Sequence, residues 1–93
     1  MRLEQQIQKE IIKYLHGVGA YTFKTVNSNR AGIPDVIVCI NGKFIAFEIK
    51  RPNGKATPLQ ELEIKKITQA KGIAKVVHSV DEVKSIVGSI ENE

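Results

Sequence analysis

Three residues, Asp35, Glu48 and Lys50, have the types and spacing best suited to chemistry in this chain. Between the first two lie Val36-Ile37-Val38-Cys39-Ile40, then Asn41-Gly42, then Lys43-Phe44-Ile45-Ala46-Phe47. Asn-Gly between two apolar runs is the strongest local signal for a two-residue type I′ hairpin, a turn whose central residues both need positive φ. That turn sets a register in which Ile40 faces Lys43, Cys39 faces Phe44 and Asp35 faces Glu48. Directly opposed residues have Cβ atoms roughly 4.5 to 5.5 Å apart, where two like charges repel unless something positive lies between them. A divalent cation meets that need. Lys50 follows Glu48 on the same face of its strand and adds a further positive charge.

The same register sorts the rest of the hairpin. Ile37, Cys39, Phe44 and Ala46 share the face of the charged trio, while Val36, Val38, Ile40, Ile45, Phe47 and Ile49 make the other. With apolar residues on both, each face is expected to be covered. A charged trio at the end of such a hairpin is poorly explained as solvated surface.

These residues resemble a known family. Pro34-Asp35 followed by Glu48-Ile49-Lys50 matches the PD-(D/E)XK nuclease signature. The surroundings are similar to its VRR-NUC branch, the virus-type replication-repair nucleases: Glu4-Gln5-Gln6-Ile7-Gln8, Gly32-Ile33-Pro34-Asp35, Lys50-Arg51-Pro52 and Thr57-Pro58-Leu59-Gln60. The likeness runs from about Glu4 to Val87. It implies an α/β restriction-endonuclease-like core, in the order helix, three strands, helix, strand, helix, with a mixed central sheet and a helix on each face. It also implies Mg²⁺ or Mn²⁺ held by Asp35, Glu48 and the main-chain carbonyl of Ile49, with an acid of the first helix, Glu4, beside the metal. Hard divalent cations suit such oxygen donors. By the same resemblance Lys50 orients the attacking water and Gln60 faces the site.

Composition narrows the alternatives. Ninety-three residues, 42% hydrophobic and 26% charged, describe one domain over residues 1–93 that can build a core without staples. No apolar run approaches the roughly 20 residues of a spanning helix, and the amphipathic N-terminal stretch does not read as a signal peptide. The expected location is the cytoplasm of a bacterial or phage-infected host cell. A single cysteine, Cys39, excludes an intrachain disulfide, and His16 and His78 do not make a Cys/His zinc set. Any metal must therefore be held by oxygen. A net charge of +4 is compatible with nucleic acid.

The elements that must position the trio follow in order. Leu3, Ile7, Ile11, Tyr14, Leu15 and Val18 recur at helical spacing and predict a helix over 3–18. On the helical wheel Glu4 falls inside the apolar arc, between Ile7 and Leu15, and Gln8 between Leu15 and Ile12, with Glu10, at the edge of the arc, as the fallback acid. An inward Glu4 would need a partner or a metal; otherwise it sits in an exposed first turn, where the helix dipole favours it. Tyr21 to Val26 alternates as a strand and leads into a polar loop over 27–32, where Arg30 is either a phosphate contact or an ordinary solvated arginine. After the hairpin, Arg51 and Lys55 lie in a basic, turn-rich loop.

Thr57, Pro58 and Gln60 read as a capping box opening a helix that reaches Gly72. That explains Gln60 as well as a role in the site does. Glu63 lies near the middle of this helix's apolar arc with no physical account from the sequence. Ile73 to His78 predicts a last strand, and Ser79-Val80-Asp81-Glu82 a second capping box before a short helix through Ile90, with Glu91-Asn92-Glu93 as a frayed tail.

The expected activity is metal-dependent hydrolysis of phosphodiesters in DNA, selective for branched or Holliday-junction DNA over simple duplex. A domain this small has one site, and its similarity to the superfamily's archaeal-type Holliday junction resolvases, which work as two-fold dimers, implies a homodimer that supplies the second. Arg30, Arg51, Lys55 and Gln8 are the expected nucleic-acid contacts. A non-catalytic nucleic-acid-binding module on the same fold is the alternative from another class. A purely structural ion-pair network of Asp35, Glu48 and Lys50 is a third.

Overall fold

The computed structural model describes residues 3–26 and 30–91. Residues 27–29 of the polar loop, and Asn92 and Glu93 of the tail, lie outside the described residues. The elements are α1 (Glu4–Gly17), β1 (Tyr21–Lys24), β2 (Val36–Ile40), β3 (Lys43–Ile49), α2 (Pro58–Gln69), β4 (Ile73–Val77) and α3 (Val80–Glu91). This is the expected order.

The hairpin turn is the one the Asn-Gly pair demands, with φ of 52° at Asn41 and 74° at Gly42. Its ladder runs from Ile40↔Lys43 back to Val36↔Phe47. Among the described residues the sheet is ordered β1-β2-β3-β4, with β1 antiparallel to β2 and β4 parallel to β3. Parallel neighbours cannot be joined by a tight turn, and α2 makes the required crossover.

Val36, Val38, Ile45 and Phe47 are fully buried against Ile7, Ile11 and Leu15 of α1 and Val83 and Val87 of α3. Each such side chain contributes roughly 1.5 to 3 kcal/mol on leaving water. These two helices cover one face of the sheet. Single-handed cover by α2 on the other face corrects the expectation that both are closed. A 12-residue helix spanning the β3–β4 crossover leaves the β1–β2 half without cover among the described residues. There Tyr21 is 72% exposed and Phe23 48%, and Cys39 is exposed; Phe44, its neighbour on β3, is 47% exposed.

The helix starts follow from local side chains. At α2, Thr57 Oγ1 accepts from the Gln60 N–H at 3.2 Å and Gln60 Oε1 accepts from the Thr57 N–H at 2.8 Å, the full capping box. At α3 the box is displaced by one residue. Ser79 Oγ accepts from the Glu82 N–H at 3.2 Å, but the Glu82 carboxylate accepts from the N–H of His78 at 3.0 Å. At α1 the Leu3 N–H donates to Gln6 Oε1 at 3.0 Å. Among the described residues, no helix is long and apolar enough to cross a membrane.

The segment before Asp35 is clamped from two sides. Thr25 Oγ1 donates to the carbonyl of Pro34 at 2.8 Å, and the Thr25 N–H to that of Asp35 at 2.9 Å. On the other side Gly32, at φ +84°, presses so close to α2 that a Cβ there would lie 2.6 Å from the Leu59 carbonyl oxygen. Gly32→Ala meets both a left-handed backbone and a steric overlap with main chain. It should lower unfolding stability by about 2 kcal/mol or more, read as the urea midpoint; an unchanged midpoint would contradict the close packing.

Candidate active site

The hairpin register, continued one pair past Val36↔Phe47, sets Asp35 across from Glu48. Asp35 is held there by its own side chain, whose Oδ2 accepts from the Ile49 N–H at 2.8 Å. On the far side of β3 the Lys50 N–H donates to the Val77 carbonyl at 2.9 Å. Because N–H groups alternate sides along a strand, Ile49 therefore presents its polar backbone toward Asp35 rather than toward β4.

Glu48 is 2% exposed. Its Oε2 accepts from Gln60 Nε2 at 3.1 Å and lies 3.7 Å from Lys50 Nζ. Among the described residues its buried Oε1 has no hydrogen-bond partner. Burial, and after it the charge of neighbouring Asp35, push the Glu48 carboxyl up to about 8 in spite of Lys50. Gln60 does not have to choose between its two explanations: its oxygen caps α2 while its nitrogen holds Glu48.

Glu63 acquires the physical account that the sequence withheld. Both its oxygens accept from Arg30 Nη2, at 3.0 and 2.9 Å, and Lys66 Nζ lies 3.2 Å from Oε2. Desolvation alone would raise this carboxyl; hydrogen bonds and charge from Arg30 and Lys66 outweigh it and hold the group below its usual range. Arg30, half-exposed, thus ties the segment before Asp35 to α2. Arg51 and Lys55 are exposed, on a loop fastened by the hydrogen bond from His78 Nε2 to the Gly54 carbonyl at 2.9 Å.

Glu4 is a correction. It is exposed in the first turn of α1 rather than turned inward, and α1 packs on the face of the sheet opposite the trio. A helical wheel gives the direction of a side chain but not its height, and this first turn, with Leu3 57% exposed, stands in solvent. Among the described residues no three His, Cys, Asp or Glu side chains gather as a metal-holding group, so Glu4 does not join Asp35 and Glu48. Gln8 and Glu10 are half-buried along the same helix. The contacts that sequence reasoning missed are those of Thr25 with Pro34 and Asp35 and of His78 with Gly54, each between separate elements or loops.

A mixed sheet with two carboxylates and a lysine at the end of its hairpin has the architecture of the PD-(D/E)XK nucleases. The family model described as VRR-NUC domain matches residues 1–81, and the chain belongs to that family of nuclease domains. It is 40% identical over 63 residues to "Putative nuclease p44" of Acyrthosiphon pisum secondary endosymbiont phage 1, an alignment covering 64% of this chain and 68% of that protein. A solved structure called "VRR_NUC domain" superposes with a TM-score of 0.81 at 25% identity, covering 91% of this chain and 94% of the other. A second, "VRR_NUC domain protein", shares the fold with a TM-score of 0.79 at 22% identity, covering 96% and 88%.

A carboxyl whose pKa rises on folding binds its proton more tightly in the folded chain, so its contribution to stability is full below the ordinary 4.5 and is lost as pH climbs to about 8. In EDTA, the melting temperature of the parent minus that of Glu48→Gln should therefore fall steadily across that window. A difference that stays flat or rises would contradict the burial and repulsion assigned to Glu48.

Proposed function

We propose that this domain is a divalent-metal-dependent DNA endonuclease. The observation that carries the proposal is the Glu48 carboxylate, buried beside Asp35 with Oε1 lacking a partner among the described residues. A buried acceptor with no donor, next to a second carboxylate, fits a cation far better than it fits an apolar core. Asp35, Glu48 and the Ile49 carbonyl would hold Mg²⁺ or Mn²⁺, which when bound polarises a phosphoryl oxygen and acidifies a water. Gln60 fixes one oxygen of Glu48 and leaves the other for the cation. Lys50, with 13% of its side chain exposed, aims a compact charge at the same place; there it orients the attacking water and stabilises charge developing on the phosphoryl oxygens.

The substrate we propose is branched DNA, including four-way junctions, bound mostly through phosphates by Arg51, Lys55 and the exposed part of Arg30. Such binding weakens steeply with salt and carries little sequence preference. Two copies meeting across edge strand β1 would bring two sites into one particle. Support for this comes from the exposed Tyr21 and Phe23 of that strand and from Val26, 81% exposed, just beyond it. The setting we propose is the cytoplasm of a bacterial or phage-infected cell. A non-catalytic binding module would need the fold and basic loop but not the trio, and the intact trio speaks against it.

Asp35→Asn and Glu48→Gln should abolish Mn²⁺-dependent nicking of supercoiled plasmid while the fold survives. Lys50→Ala should lose on the order of a hundredfold or more in rate, with Mn²⁺ affinity kept within a few-fold and poor rescue by arginine, whose planar fork is not a point charge. Undiminished cleavage in EDTA would overturn the metal assignment. Light scattering at micromolar concentration, paired with cleavage of a fixed four-way junction and a linear duplex, tests the rest; a monomer that cuts both equally fast would refute the assembly and the substrate preference.

A further inference from the structure

Beyond the trio, the same face of the sheet holds a pocket of about 520 Å³ between the C-terminal half of α2 and the hairpin turn. Four cations line it, Arg30, Lys43, Lys66 and Lys71, against one carboxylate, Glu63. Its apolar wall is Phe44, Ile67 and Ala70. Phe44 is 47% exposed, and its ring is backed by Gly72, where a Cβ would come within 3.1 Å of Cδ1. The absence of a side chain at Gly72 lets β3 and the end of α2 close on the ring's edge while part of the ring stays open to the pocket.

Phe44, Ala46 and Glu48 alternate along β3, so ring and carboxylate share a face, about 13 Å apart for four residues of strand. We infer that this pocket is a subsite for an unpaired nucleotide of the DNA strand engaged at the trio. The inference rests on the nuclease reading above and specifies the substrate. Its chemistry is that of single-strand binding: an aromatic side chain offers a platform to any base, and surrounding cations take the phosphate. The volume suits one nucleotide. A base paired within a duplex cannot reach a wall lying between a helix and a hairpin, whereas a flap or an open junction arm supplies one that can. Glu63 does not oppose a phosphate there, because Arg30 and Lys66 already neutralise it.

The test is binding in EDTA, where no cleavage occurs, of a blunt duplex and of the same duplex with a short single-stranded flap containing 2-aminopurine. Binding of the flapped DNA by the parent should quench the probe. Phe44→Leu, which keeps an apolar side chain in the pocket wall, should weaken the flapped DNA about tenfold, the lower part of what one stacked base contributes, and remove the quenching. It should leave the blunt duplex within about twofold. Lys71→Asn serves as a second variant, since asparagine tolerates the left-handed backbone found there, φ 76°; it should lower the salt slope by about one for the flapped DNA only. Equal losses on both DNAs, or no loss on either, would overturn the subsite. Mn²⁺-dependent plasmid nicking by the parent is scored separately: its absence would sink the nuclease reading while leaving the binding result to stand on its own.

Discussion

Two carboxylates are forced together at the end of a hairpin, and much of the structure can be understood as what is needed to hold them there. Their proximity is a consequence of backbone register, so neither can move away without breaking the ladder that also buries Val36, Val38, Ile45 and Phe47. Burial denies Glu48 water, and that burial together with the charge of Asp35 raises its carboxyl above the usual range. The core therefore supports a local arrangement that is unfavourable by itself, as strained functional sites commonly require.

Helix α2 is the bracket around that arrangement. Its first turn supplies Gln60 to Glu48, its next turn supplies Glu63 to Arg30, and its backbone at Leu59 receives Gly32. These contacts lock the segment before Asp35 to the helix, while Thr25 locks it to the sheet. The crossover that joins two parallel strands is thus also the element that sets the position of both acids. Because α2 is engaged with β3 and β4, β1 and β2 are left uncovered on that face among the described residues, and the open half of the sheet borders the site.

The features legible in the sequence were those with short-range causes. Asn41-Gly42 specified its turn, the turn specified the register, and the register put Asp35 opposite Glu48; Thr57 and Gln60 capped α2 as their spacing implies. What stayed hidden depended on contacts between distant segments. Glu63 looked like an error in an apolar arc because its partner, Arg30, lies 33 residues earlier, and nothing local shows that Gly32 meets Leu59. Two expectations went wrong for geometric reasons. Alternation showed that both hairpin faces were apolar but not that one helix is too narrow to cover the second, and the wheel placed Glu4 by angle without revealing that its turn stands in solvent.

The central claim of the proposed function is that a bound cation would offset the Asp35–Glu48 repulsion, and a Mn²⁺ titration followed by melting temperature addresses it most directly. A ligand that binds only the folded state raises stability with its concentration. The parent should begin less stable than Asp35→Asn and climb as Mn²⁺ is added, while the variant should begin high and stay level. A parent indifferent to Mn²⁺, or a variant that climbs with it equally, would contradict the account.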